Sequence, residues 1–184
     1  RQPHVWIACE PAGIGVRDAS SGLLVDRVGR VFPCTPRMAA QAENLPVLHL
    51  RTDDGGIVPG EKLRHPDYRR GLRLLQAAER HLPEARAWVE SIELHKTWGC
   101  RLHTRDAITA TFSHDDPDRQ MRDLLAAVEH AREQGDEIAT ISLVGRRNLP
   151  VTFHNQSPPK AIVIPEPDVE EPGRDPVIQQ LLDH

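Results

Sequence analysis

The chain has 184 residues, of which 39% are hydrophobic and 4% aromatic, with a formal net charge of −4. That length holds one ordinary domain with a tail, or two small ones, and the hydrophobic share suffices for a core. The 23 basic residues never gather into a block, which argues against a nucleic-acid or anionic-membrane binder, because both need a cationic surface.

No apolar run approaches the ~20 residues of a membrane helix, and no signal peptide is visible. Arg1 opens directly into strand-like sequence, as an excised piece of a longer protein would. Cys9, Cys34 and Cys100 have no CxxC spacing, so neither a local zinc knuckle nor a thioredoxin-like motif is expected. Three buried thiols are the simpler expectation, with one disulfide and a spare thiol as the alternative.

Taken in order, Val5, Ile7 and Cys9 alternate with His4, Trp6 and Ala8 in a first strand closed by Glu10-Pro11. Ile14 and Val16 continue in a short strand. Leu23 to Val25, the tight turn Asp26 to Gly29, and Arg30 to Phe32 complete a small β-meander. Pro33 to Pro46 reads as irregular, Val47 to Leu50 as a brief apolar strand, and Asp53 to Gly56 as a loop. From Pro66 the period changes: Tyr68, Leu72, Leu75 and Leu82 lie on one helical face, with Pro66 in the first turn and Pro83 ending it. Gly71 weakens that helix by ~1 kcal/mol relative to alanine.

Three β-runs follow, Trp88 to His95, Trp98 to His103 and Ala107 to Phe112, with antiparallel meander spacing. Val89, Ile92, Leu94, Trp98, Cys100, Leu102, Ile108, Ala110 and Phe112 are their core-facing candidates. A second helix is expected from about Pro117 to Gln134, with Asp116 as N-cap, Pro117 at N1 and Gly135 at C′. Met121, Leu124, Leu125, Val128 and Ala131 form its apolar stripe. A hairpin then runs from Ile138 to Phe153, its arms Ile138 to Val144 and Leu149 to Phe153 joined at Gly145 to Asn148. Beyond it, prolines interleaved with Glu and Asp predict a disordered tail over 156–184.

The expected fold class is therefore α+β, a mostly antiparallel sheet with two amphipathic helices packed on one face. The second arm of the hairpin becomes its last strand and a sheet edge, whose free N–H and C=O groups can accept a partner strand.

Catalytic constellations are weak by comparison. His114, Asp115, Asp116 and Asp118 gather an imidazole and three carboxylates, but helix capping accounts for the acids without a metal. The ten histidines contain no HxH or HxxxH pair, so no metal ligands and no cofactor are expected. No GxSxG is present, and Cys100 and His103, three apart on one strand, point to opposite faces. Gly13-Ile14-Gly15 and Gly55-Gly56 lack a phosphate-loop context. No catalytic residues are assigned. Core packing is the expected role of Trp6, Trp88 and Trp98; Phe153 stands evenly between core and contact surface.

The order of motifs carries a resemblance. Arg1 to Ala12 reads R-x-P-x-V-x-I-x-x-x-E-P-A, then come L-V-D-R-V-G-R-V-F (Leu24 to Phe32) and L-P-V-L (Leu45 to Leu48). The amphipathic helix, the V-E-S-I-E-L…W-x-C-x-L run, the second helix and the I-x-L hairpin follow. Over residues 1 to about 155 this resembles the extracytoplasmic part of the FtsQ/DivIB family of bacterial cell-division proteins. The resemblance implies the end of a POTRA domain at 1–12, a β-domain over 13–155, and a single transmembrane helix upstream in the parent chain. It implies a non-enzymatic scaffold on the outer side of the cytoplasmic membrane at the division septum. Its partners would be FtsB/DivIC-like and FtsL-like proteins, joined by strand addition to the last strand. Carried onto this chain, the contact residues are Lys96, Arg146, Arg147, Asn148, Leu149, Val151, Thr152 and Phe153.

Two departures stand out. Gly145 occupies a place where the family can carry an aromatic, and Pro150 lacks an N–H, which a partner strand tolerates only if that side faces away from it. On this reading a charge or a proline at Val151 or Thr152 removes partner binding while the domain still folds. The competing expectations are a POTRA-linked module of a secretion or outer-membrane assembly system, and a metal-dependent hydrolase using His114, Asp115 and Asp118.

Overall fold

The computed structural model describes residues 2–10, 22–51, 57–95, 98–146, 148–154 and 156–163, with the backbone alone for residues 9, 10, 51, 95 and 156–163. In chain order the elements are β1 (Pro3–Glu10), β2 (Leu23–Asp26), β3 (Val31–Pro33), α1 (Pro36–Ala42), β4 (Val47–Arg51), α2 (Pro66–His81) and α3 (Ala85–Trp88). Then follow β5 (Val89–His95), β6 (Gly99–Thr104), β7 (Thr109–Ser113), α4 (Pro117–Glu133), β8 (Ile138–Ser142), β9 (Asn148–Phe153) and β10 (Gln156–Val163). The expected strands at Ile14–Val16 and loop at Asp53–Gly56 lie outside the described residues.

The class is α+β, and the strands join in one sheet ordered β10-β9-β8-β7-β6-β5-β4-β1-β2-β3. The sheet is mixed. Neighbours joined by a turn pair antiparallel, as β5/β6, β6/β7 and β8/β9 do. Where a helix intervenes, the chain returns to the same end and the next strand pairs parallel: β4/β5 across α2 and β7/β8 across α4. β1/β4 is the third parallel pair. The resemblance assigns residues 1–12 to a preceding domain, yet β1 is hydrogen-bonded between β2 and β4 in the sheet that carries everything after it.

Alternation along the strands sorts side chains into two cores. Val5, Ile7, Val25, Val31, Leu48 and Leu50 face α2 and join a cluster that continues through Ile92, Leu102, Phe112 and α4 to Val151. Trp6, Ala8, Leu24, Phe32 and Val47 face the other way and pack with Cys34, Ala42 and Leu45 in a second cluster. Strands β1–β4 are thus buried on both faces, and β5–β9 on one. Two helices on one face, α2 and α4, was the expected pattern; α1 is an addition on the opposite face, in a segment expected to be irregular. Pro36 starts this short helix, and the Trp6 indole N–H donates to the Ala42 carbonyl at 2.7 Å, fixing its end to β1. Its seven residues are too few to show a helical period.

Gly71 in α2 has a packing reason. A Cβ there would stand 2.2 Å from Leu48 Cδ1, so any other residue would force the Leu48 side chain to move where α2 meets β4. The second long helix is capped as expected: Asp116, at φ 46°, accepts from the Arg119 N–H at 3.2 Å, Pro117 opens the first turn, and Gly135 at φ 76° follows the C-cap. α2 and α4 are tied by Arg80, which makes two hydrogen bonds of 2.8 and 2.7 Å to Asp118.

Candidate strand-pairing edge

The candidate site is assembled from the last three strands. β8 and β9 pair antiparallel with Ile138 opposite Phe153, Thr140 opposite Thr152 and Ile141 opposite Val151. Between the first two pairs β8 advances two residues where β9 advances one, which is a bulge at Ala139–Thr140. Just past the strand, the His154 N–H donates to the Glu137 carbonyl at 3.0 Å, so residue 154 faces β8. Peptide groups alternate sides along a strand. Residues 152 and 150 therefore also face β8, while the N–H and C=O of Leu149, Val151 and Phe153 point to the other side. The donor that Pro150 lacks belongs to the β8 ladder, so the outer edge keeps its three donors.

That outer edge is occupied. The expectation of a disordered tail from residue 156 is corrected over Gln156–Val163, which forms β10 antiparallel to β9. Lys160 stands opposite Val151, Ala161 opposite Pro150, Ile162 opposite Leu149 and Val163 opposite Asn148. The proline-rich composition concealed a four-residue stretch, Lys160 to Val163, with a full set of N–H groups and two β-branched residues. Pro158 and Pro159 fall in an irregularity between Gln156 and Lys160, where their missing donors interrupt no regular ladder. Residues 164–184 lie outside the described residues.

Of the eight residues expected to meet a partner, Leu149, Val151 and Phe153 are core residues, 1%, 0% and 8% exposed, packed in the cluster beneath α4. Their side chains face inward, and only their peptide groups belong to the edge. Thr152 is half-buried and its hydroxyl meets that of Thr140 at 2.6 Å. Arg146 and Asn148 are exposed. Lys96 and Arg147 lie outside the described residues.

Trp98 corrects another expectation. It is 51% exposed, because it sits in the turn before β6 rather than within the strand, and Gly99 is the first strand residue. Gly99 pairs with Ser113 and Thr111 with Ser142, so Trp98 stands at the same sheet end as exposed Val144 and Arg146. Trp6 is buried as expected, and Trp88 is partly buried against the main cluster, its indole N–H donating to Asp106 at 3.0 Å. Cys34 and Cys100 are free buried thiols in different clusters, and burial pushes Cys100 up to about 12; the side chain of Cys9 is not described.

The acidic group before α4 is used structurally. Asp116 caps the helix, and the hydrogen bond from Arg80 holds the Asp118 carboxyl below the usual aspartate range. Among the described residues no group of three His, Cys, Asp or Glu side chains is placed to hold a metal ion. A groove of about 580 Å³ runs between α4 and the β6–β7 turn, lined by Leu82, Trp88, Leu125 and Val128 together with Glu84, Glu129, Arg105 and Arg132. Its charges are of both signs and select no ligand charge.

His4, at the start of β1, is 4% exposed, and burial, then the nearby Arg86, lowers its pKa from 6.5. Arg27 acts in the same direction; Glu79 and Asp26 oppose it. The unfolded chain takes up this proton first as pH falls, so the stability gained from a neutral His4 is complete above 6.5 and lost below it. We expect the urea midpoint to drop as pH falls through that window and the drop to be smaller in His4→Gln; equal drops would show that His4 does not contribute.

No protein-family model matches the chain, and a search of curated proteins finds no match either.

Proposed function

We propose that this chain is a non-enzymatic scaffold of the bacterial division septum, joining FtsB/DivIC-like and FtsL-like partners by strand addition at β9. The parent chain would be anchored in the cytoplasmic membrane by one transmembrane helix, with this region on its outer side. The motif order from Arg1 to Phe153 supports the family reading. The observation that carries the binding mode is the direction of the β9 peptide groups: Leu149, Val151 and Phe153 offer three donors and three acceptors away from β8, and a strand is already hydrogen-bonded there. Backbone pairing supplies affinity at such an edge, and nearby side chains supply choice of partner. Arg146, Trp98 and Val144, exposed at the end where β9 begins, are suited to that second task.

Co-expression of the chain with FtsB-like and FtsL-like division proteins tests this reading. A stable complex is expected, weakened by the paired change Trp98→Ala and Arg146→Glu, which alters exposed side chains only. No complex with either protein would overturn the reading.

A further inference from the structure

We propose that β10 is a resident stand-in for the partner, a strand of the chain's own that a partner must displace before it can pair with β9. This rests on the scaffold reading for the partner's identity, but the occupancy itself rests on the register alone.

Three observations support it. First, β10 takes the positions a partner would need: Lys160 and Ile162 stand opposite Val151 and Leu149, whose peptide groups point outward. The N–H groups of 160 and 162 therefore face β9, and those of Ala161 and Val163 face out. Second, the fit is incomplete. Between the pairs Gln156/Phe153 and Lys160/Val151, β10 advances four residues (156 to 160) where β9 advances two (153 to 151), and Pro158 and Pro159 have no donors to offer in that stretch. An antiparallel strand free of proline there would pair without interruption and gain hydrogen bonds that β10 cannot make. Third, β10 ends the sheet order and, among the described residues, pairs with no strand but β9, so its release breaks that one ladder. The link from Phe153 to Gln156 is two residues, which keeps the effective concentration of β10 at its site high, in the millimolar range typical of short tethers.

The partner so defined is an extended, proline-free segment running antiparallel to β9. Its apparent affinity is reduced by the fraction of time the edge is open; if β10 is paired about nine-tenths of the time, opening the edge raises affinity ~10-fold.

The experiment uses the full chain in three forms: unaltered, the double variant Lys160→Pro with Ile162→Pro, and Ala161→Pro. The double variant removes the two N–H groups that face β9, whereas Ala161→Pro removes one that faces outward and serves as control. Amide hydrogen exchange at Leu149, Val151 and Phe153 is expected to speed up in the double variant and not in the control. A labelled synthetic peptide of the Gln156–Val163 sequence is expected to bind the double variant ~10-fold more tightly than the other two. Unchanged exchange in the double variant, equal peptide binding to all three, or no binding to the double variant overturns the proposal. Should exchange and peptide binding behave as expected while FtsB-like and FtsL-like proteins bind none of the forms, the stand-in strand holds and the scaffold reading fails.

Discussion

Val151→Asp is expected to abolish cooperative folding of the chain, not merely to weaken a contact at its edge. Val151 is fully buried in the cluster that joins the sheet to α2 and α4. An aspartate there either ionises in an apolar environment or folds only as the protonated acid; an unpaired buried charge costs several kcal/mol, on top of roughly 1–2 kcal/mol for the lost methyl packing. Whole domains are stable by only about 5–15 kcal/mol. Leu149 and Phe153 stand on the same face in the same cluster, so the damage spreads along the strand. Asn148→Asp makes the comparison: it adds the same charge to the same strand at an exposed position. Thermal unfolding followed by circular dichroism should show a transition for Asn148→Asp and none for Val151→Asp. A Val151→Asp midpoint close to that of the unaltered chain would mean that β9 is not part of the core. The same burial makes side-chain charges at Val151 unsuitable for probing partner pairing, which is a property of the backbone.

What was legible in the sequence follows from what each signal depends on. The long helices α2 and α4 and the meander β5–β7 were readable because period and capping are local: Asp116, Pro117 and Gly135 mark α4 without reference to anything distant. Parallel pairing was not, because a strand's neighbour is chosen by where a helix returns the chain. Alternation places Trp98 in a core but cannot say where a strand begins, and Gly99 rather than Trp98 is the first paired residue. Composition conceals β10. Prolines at 158 and 159 and the acids beyond 165 outweighed Lys160 to Val163, although proline is tolerated in edge strands at irregular positions. The side to which Pro150's missing donor points is the condition for an open edge, and only the long-range His154–Glu137 hydrogen bond decides it.

Gln120 was not readable from an apolar period, and it is expected to be among the more costly side chains to change. The stripe expected on α4 included Leu125 and Val128; the buried residues are Gln120, Met121, Leu124, Ala127 and Ala131, so the inward face is turned toward a polar residue with no exposure. Its carbonyl accepts from the Ser113 N–H at 2.8 Å, and its amide donates to the Asp115 carbonyl and to the Ser113 hydroxyl, the latter at 3.1 Å. These bonds satisfy backbone groups where the chain leaves β7 and turns into α4, a junction with no ladder of its own. Gln120→Leu keeps the approximate volume and leaves the Ser113 donor and the Asp115 acceptor without that partner, at ~1–3 kcal/mol for each group left unsatisfied. Gln120→Glu separates the two halves of the role. A carboxylate still accepts from Ser113 but faces the Asp115 carbonyl with no proton to give, and burial raises its pKa. Protonation restores a donor, so this variant should regain stability relative to the unaltered chain as pH falls through the raised value, down to the ordinary glutamate range. Urea unfolding of the three proteins across that range measures it. A Gln120→Glu variant as stable as the unaltered chain at every pH would show that the amide donor, and with it the clasp at the start of α4, contributes nothing to the fold.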